Sequence, residues 1–448
     1  MKNKRKILTF FVLLVFSPLL VFGDNSTLPL IQESDLQYLG AFALPNTTIN
    51  ETRLGYGGSG LGSYHDPNTG KNSLFIGANV NYGNGGYVGQ VEIPNSFTIS
   101  NNWNELQLGT ILQGFYDITD GNMSTLGADS YNRIYGFLVY NNRLIIGASR
   151  WYDASCSQNA SHGISSLNLS VPNDFQGFYS LDAVAIPRAL GGYMTTVPDE
   201  WINDFGGPAL TGNSAMSIAI CKSSGPAVSV FDPDDLGIEN PVPATTLSYY
   251  PLDNYLTSGG ITTYNTWMVG SAARGIAFPA DTRSIIFIGE QALGTEYCYG
   301  PGTDDPDLHL VPITDDTTWC YDPCNSDKGG HGYPYVHYIW AYDANELLEV
   351  KSGLKQPWEV KPYAEWALGD MNSDGCATIR SAGFDSQTNK LYITQEYEEH
   401  PRVDVYQIGI SPDPVCGDGY CNGDELISSC PADCQNESPN SPTGLSVL

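Results

Sequence analysis

Basic residues are scarce in this sequence: 20 Lys and Arg stand against 49 Asp and Glu, for a formal charge of −29. Such a surface repels nucleic acid and anionic lipid, and it leaves divalent cations, sugars and basic proteins as partners. Charged residues together make up only 15% of the chain, so much of the polarity is carried by Tyr and Asn, unlike the charge-dense surface of a halophile. After the first 23 residues no stretch is apolar enough to cross a membrane. Long helical periodicity is also missing. So are a Gly-x-Ser-x-Gly elbow, a His-Glu-x-x-His helix and a phosphate loop, which removes the usual signatures of serine hydrolases, zinc peptidases and nucleotide-binding enzymes.

What is present begins with "MKNKRKILTFFVLLVFSPLLVFG", a basic cluster ahead of an unbroken apolar run that ends in a small residue, the three-part pattern of a secretory signal over 1–23. The apolar run is shorter than the roughly 20 residues of a comfortable span. The mature chain is therefore expected to begin near Asp24, to lack a transmembrane segment and to be secreted or displayed on an extracellular surface. Removing the segment takes away Lys2, Lys4, Arg5 and Lys6 and no acidic residue, so the mature chain is more acidic still.

Ten cysteines in an exported chain point to disulfides. Cys156, Cys221, Cys298, Cys320, Cys324 and Cys376 lie in the body; Cys416, Cys421, Cys430 and Cys434 crowd the end. Both counts are even, so pairing within each part is expected, and the partners are open. Sequons at Asn25, Asn46, Asn50, Asn122, Asn159, Asn168 and Asn436 are acceptors in a host that glycosylates.

With 48 glycines, 28 prolines and little helical periodicity, the body is expected to be all-β and built of short strands. Self-similarity sharpens that expectation, because recurrence of one supersecondary unit marks a repeat fold. "RIYGFLVYNNRLIIGAS" from Arg133, "RGIAFPADTRSIIFIGE" from Arg274 and "RSAGFDSQTNKLYITQE" from Arg380 share an Arg, a Phe four positions later, a tight polar turn and a β-branched run. "GLGSYHDPNTGKNSLFIGA" from Gly60 fits the same hairpin, and "SAMSIAICKSSGPAVSVFD" from Ser214 is a weaker copy. A third strand follows each unit, and "LGTILQGFYD", "TTLSYYPL" and "KPYAEWAL" supply fourth strands. The last unit lacks one. The N-terminal "LQYLGAFALP" resembles the fourth strands and can close the ring, as propellers do to hide sheet edges. Residues 24–411 are thus expected to form a β-propeller of five blades, with six or seven as the alternative; a two-sheet sandwich would not explain five three-strand copies.

Beyond the body, "CGDGYCNGDELISSCPADC" packs four cysteines and four carboxylates into a stretch too small for an apolar core. It resembles the CGDGxC…CPxDC cysteine-rich repeat of secreted and cell-surface microbial proteins, which implies a small disulfide module over 412–435. "NESPNSPTGLSVL" then runs through a polar linker over 436–448 into what resembles the opening strand of a fibronectin type III module. "QPWEVKPYAEWAL" and "LQYLGAFALP" are similar to segments of bacterial secreted propellers without an assigned function, which supports the fold and names no activity.

In a propeller, second-to-third loops share one end with blade-to-blade links. Here those loops are long: "NVNYGNGGY", "RWYDASCSQNASHG" and the insertion between Glu290 and Tyr335. Long loops on a rigid scaffold tend to carry function. Arg133, Arg274 and Arg380 recur at the channel end of three blades, where guanidinium groups can grip a carboxylate or phosphate or simply tie blades together. Trp151, Tyr333 and Tyr335 offer flat faces that suit sugar rings, and His337 and His331 flank a Tyr-rich strand entry. In "DMNSDG", Asp370, Asn372 and Asp374 alternate ahead of Gly375, the spacing that gathers oxygen ligands for Ca²⁺. The twelfth position holds Ser381 where the helix-loop-helix calcium site has Glu.

The composite expectation is a secreted, non-catalytic binding module for a glycan or another extracellular ligand, with Ca²⁺ as a cofactor and no nucleic acid partner. A glycoside hydrolase or polysaccharide lyase is the alternative, with Glu290 as the acid, Asp66 as a poorer one and His331 assisting. A structural surface-layer component is a further alternative.

Overall fold

The computed structural model describes residues 25–409 apart from 50, 81–84, 128–131, 184–188, 216–218, 258–266, 269, 295–297, 370–375, 377–378 and 396–400. The signal expected over 1–23 and the modules expected over 412–435 and 436–448 lie outside the described residues.

The second strands dictate the architecture. "NSLFIG", "RLIIGA", "SIIFIG" and "KLYITQ" are apolar at successive positions, as a strand buried on both faces must be. Each belongs to a four-stranded antiparallel core, in chain order for sheets I to IV. Sheet I is Leu61–His65, Asn72–Gly77, Tyr87–Glu92 and Thr110–Asp117. Sheet II is Asn132–Tyr140, Arg143–Arg150, His162–Ser166 and Gln176–Tyr179. Sheet III is Met194–Thr196, Ala209–Thr211, Val228–Phe231 and Val242–Ser248. Sheet IV is Ala272–Ala277, Ser284–Ala292, Tyr335–Asp343 and Ala364–Ala367. Sheet V is Ile379–Asp385, Lys390–Gln395 and Arg402–Ile408, completed by Leu36–Ala43 from the other end of the chain.

Each second strand feeds two cores. In sheet II, Ile145 packs toward sheet III with Met194, Ala209 and Phe231, while Leu144 and Ile146 pack toward sheet I with Phe75 and Val88. In sheet IV, Ile285 and Phe287 join the sheet III side and Ile286 and Ile288 the sheet V side. Phe42, Leu74, Val91, Tyr392 and Val405 fill the space between sheets V and I. Every pair of consecutive sheets therefore encloses a hydrophobic cluster. The first strands stand at the ends of their sheets and neighbour one another in the order I, II, III, IV, V and back to I. Small residues permit the approach: a Cβ on Gly136 would lie 2.0 Å from the Gly192 carbonyl oxygen, and one on Gly62 only 2.6 Å from the Phe137 Cβ.

The weaker copy from Ser214 is corrected by sheet III. Its first hairpin is Met194–Thr196 with Ala209–Thr211, and residues 219–221 form a 3-10 turn. The reason is the connection, which is no tight turn: it carries the short helix Ile202–Phe205, and Trp201 and Phe205 are buried against Phe278 of the next sheet. Elsewhere the repeat extends to turn chemistry. Asp66 accepts from the Asn68 amide and the Thr69 hydroxyl; Asp385 does the same with Gln387 and Thr388.

The two chain ends meet with Leu36 opposite Ile408 and Ala43 opposite Arg402. Gly40 has φ +112° beside the Thr98 backbone, 2.8 Å from where a Cβ would sit, so only glycine fits. A buried polar cluster locks this seam: Arg402 donates to Asp404 Oδ1 through Nη2 at 2.7 Å, Gln395 donates to Asp404 Oδ2 at 3.0 Å, and the Tyr38 hydroxyl reaches Oδ1 at 3.3 Å. Burial raises the Asp404 pKa against the opposing pull of Arg402. The six body cysteines pair among themselves as Cys156–Cys221, Cys298–Cys320 and Cys324–Cys376. Among the described residues no helix is long and apolar enough to cross a membrane.

Candidate functional site

The end of the molecule that bears the long loops gathers most of the candidate residues around sheet IV. Arg274 occupies a one-residue β-bulge between Ala273 and Gly275, which frees it from the pairing register. Its Nη2 and Nε donate to Glu290 Oε1 at 2.8 and 3.1 Å; Glu290 is buried and Arg274 mostly so. Glu290 Oε2 accepts the Ile379 backbone amide at 3.1 Å, so the same carboxylate joins sheet IV to the start of sheet V. His337 stands directly opposite Glu290 on the next strand and is buried too.

Arg380 repeats the Arg274 geometry: it sits in a bulge between Ile379 and Ser381 of sheet V and is buried. Arg133 departs from it. Arg133 pairs in register with Ser149, and the irregularity in its strand falls two residues later, at Tyr135. Two of the three arginines are thus locally equivalent. For Arg274 the geometry is that of a tie between sheets.

The insertion between the second and third strands of sheet IV folds as a small sheet of Cys320–Tyr321, Cys298–Thr303 and Lys328–His331. Cys298–Cys320 staples it internally, and Cys324–Cys376 binds it to the link that enters sheet V. Within it, His331 Nδ1 faces Asp322 Oδ2 at 2.7 Å, while Nε2 faces the carbonyl oxygens of Asp327 and Gly300 at 3.0 and 3.1 Å. Both ring nitrogens point at acceptors, which is satisfied fully only by the imidazolium. Burial opposes that charge, but Asp322 and the two carbonyls together raise the His331 pKa above its ordinary value. A histidine held this way pins the insertion and has no nitrogen turned toward a substrate, which argues against the assisting role expected for it.

The Tyr335 hydroxyl donates to the same Asp322 oxygen at 2.9 Å. Burial, with Asp322 and Glu290 nearby, pushes its pKa up. Tyr333 is half-buried and packs edge-on between Tyr321 and Tyr335, at ring distances of 5.3 and 6.5 Å.

Trp151 stands apart, on the loop after the second strand of sheet II. It is 37% exposed, and its neighbour Tyr152 is 52% exposed. The loop beneath them is tied down by side-chain contacts and a disulfide. Buried Asp153 accepts from the Ser155 and Ser157 hydroxyls at 3.0 and 3.1 Å and from the Gln158 amide at 2.9 Å, and pairs with Arg150 at 3.3 Å. Burial works against the ionised form of Asp153, yet these donors and Arg150 prevail and hold its pKa below the usual carboxylate range. Cys156 carries φ +51° and ties the loop to Cys221.

Asp370, Asn372 and Asp374, expected to hold Ca²⁺, lie outside the described residues, as do Cys416, Cys421, Cys430 and Cys434. Among the described residues no group of three or more His, Cys, Asp or Glu side chains is arranged to hold a metal ion. Sequence reasoning missed Asp322 and Asp153, the two carboxylates that organise the loops. Their signal was available in one form: each lies two or three residues ahead of a disulfide cysteine, Cys324 and Cys156 respectively.

No protein-family model matches the chain, and no curated protein matches it at a significant level. Solved structures with some similarity include a glycosyl hydrolase from Bacteroides ovatus, at 10% identity and a TM-score of 0.43 over 83% of this chain and 94% of that one. An α-L-arabinanase mutant from Cellvibrio cellulosa matches at 8% identity and a TM-score of 0.34, over 82% of this chain and 92% of that one. Raptor from Chaetomium thermophilum matches at 10% identity and a TM-score of 0.32, over 83% of this chain and 25% of that one. At these scores the similarities carry no inference about activity.

Proposed function

We propose that the chain is a secreted five-bladed β-propeller whose long-loop end binds a glycan, as a non-catalytic module. The blade number is supported by five sheets with cyclically adjacent first strands and by a hydrophobic cluster between each consecutive pair. Closure is supported by Leu36–Ala43 completing sheet V. Three disulfides suit an oxidising compartment.

One observation carries the binding role: Trp151 and Tyr152 are presented to solvent on a loop immobilised by Asp153 and Cys156–Cys221. An aromatic platform ordered in advance loses little entropy when a sugar ring stacks on it. The non-catalytic role is favoured by Glu290. A glycosidase needs two working carboxylates roughly 5 to 9.5 Å apart, whereas Glu290 has both oxygens committed to Arg274 and the Ile379 amide.

A glycan array probed with the full chain is expected to give hits that Trp151→Ala weakens about tenfold, the equivalent of about 1.4 kcal/mol. Silence across the array together with turnover of a polysaccharide overturns the reading in favour of an enzyme. Ca²⁺ held by Asp370, Asn372 and Asp374 belongs to the same proposal and rests on their spacing alone. Chelation with EDTA is expected to lower the melting temperature, and Asp374→Ala to abolish that sensitivity; a melt indifferent to EDTA removes the cation.

A further inference from the structure

The end of the molecule opposite the long loops holds a cavity of about 160 Å³ among the first strands. It is lined by the whole of Leu61–His65, by residues 137–139 and 194–196, and by the turn from Gly383 to Gln387, so sheets I, II, III and V all contribute. A buried water needs only about 10 to 15 Å³ of such space. This cavity has room for a small molecule.

Its chemistry follows from the topology. Every first strand is the end strand of its sheet, paired with a neighbouring strand of that sheet on one side and meeting other sheets only through scattered bonds, such as the Gly85 amide to the Asn132 carbonyl at 3.0 Å. An edge strand presents a row of backbone N–H and C=O groups. Four such edges converge here, so backbone donors and acceptors border the cavity; the Phe384 carbonyl already accepts the Ser63 hydroxyl at 2.9 Å, and Thr195, Thr196 and Gln387 add neutral polar groups. Tyr64, Phe137 and Phe384 supply flat or apolar surface between them.

Fixed charge is nearly absent. No Lys or Arg lines the cavity. The one carboxylate, Asp385, has Oδ1 occupied by the Gln387 amide at 3.0 Å and Oδ2 by the Thr388 hydroxyl at 2.7 Å. His65 Nδ1 lies 2.7 Å from Asn72 Oδ1. The wall thus offers no Lys or Arg to neutralise an anion and no unengaged carboxylate to hold a cation. It suits a ligand whose every polar group both donates and accepts, and whose ring or chain has an apolar face.

We infer that this cavity is a second binding site, for a neutral polyhydroxyl molecule of monosaccharide size. It is independent of the long-loop end, because no residue of one lines the other. Hydroxyl groups pair with either member of a strand edge, and C–H faces lie against the aromatic rings. A ligand of this size in a small polar pocket is expected to bind with a dissociation constant on the order of 1 mM.

The test uses the full chain, isothermal titration and saturation-transfer NMR, with glucose, galactose, xylose, arabinose and myo-inositol as probes and galacturonate as the charged comparison. Saturable binding of at least one neutral probe is expected. Ser386→Trp, at an exposed position on the rim, should abolish it without lowering the melting temperature, and Gln387→Ala should weaken it about tenfold. Trp151→Ala should leave it unchanged, which separates this site from the long-loop end. The inference is overturned if no neutral probe binds at millimolar concentration to the folded protein, if galacturonate binds more tightly than galactose, or if Ser386→Trp binds as the parent does.

Discussion

Glu290→Ala is expected to destabilise the protein by roughly 3 to 5 kcal/mol, the loss typical of removing one partner from a buried ion pair. Arg274, with its side chain 10% exposed, would keep its charge without the Glu290 carboxylate, and the Ile379 amide would lose its acceptor. The double variant Arg274→Ala/Glu290→Ala should lose less than the two single losses added, since it leaves no orphaned charge. Urea unfolding of the four proteins completes the cycle. The result also discriminates function. A carboxylate kept for chemistry is usually dispensable to the fold, or even strains it. A Glu290→Ala protein as stable as its parent would therefore remove the structural account and revive Glu290 as a catalytic acid.

The tie between Arg274 and Glu290 shows how far the sequence could be read. The recurrence of Arg, a Phe four positions later and a β-branched run located the first and second strands of three sheets, and the matching hairpin from Gly60 those of a fourth, because a second strand buried on both faces has to be continuously apolar. The N-terminal partner of sheet V was legible for a related reason: "LQYLGAFALP" is an outer strand with no hairpin of its own. Sheet III was hidden because its hairpin is interrupted by a helix whose Trp201 and Phe205 do the packing that strand residues do elsewhere. Gln176–Tyr179 escaped notice as a short, largely solvent-facing outer strand. At the candidate site the arginines stood out by repetition, but their geometry did not. Whether an Arg enters a bulge or stays in register depends on how two strands slip by one residue, and the pattern around Arg133 looks the same as that around Arg274 and Arg380. The grouping of Asp322, His331 and Tyr335 was less accessible still. Those residues meet only because the insertion folds on itself under two disulfides.

Acidification should expose a second buried group, His162, whose role no motif announces. It opens the third strand of sheet II and is fully buried between sheets II and III, beside the Phe231 ring. Thr211 Oγ1 donates to the Leu190 carbonyl at 2.6 Å, so it accepts from His162 Nε2–H at 2.8 Å; Nδ1 then accepts from the Ser161 hydroxyl at 2.8 Å. The network selects the neutral imidazole, and burial depresses its pKa from 6.5 to about 3. Because the folded value lies below the unfolded one, the stabilisation is complete above about pH 6.5 and is lost as pH falls toward 3, by an amount on the order of 5 kcal/mol in all. Glutamine can keep the donation to Thr211 without titrating. His162→Gln should therefore be less stable than the parent at neutral pH and lose less on acidification, so the gap between their urea midpoints narrows from about pH 7 to about pH 4. The abundant carboxylates titrate alike in both proteins and cancel in that comparison. Parallel pH profiles would mean that His162 takes up its proton in the folded state as readily as in the unfolded one.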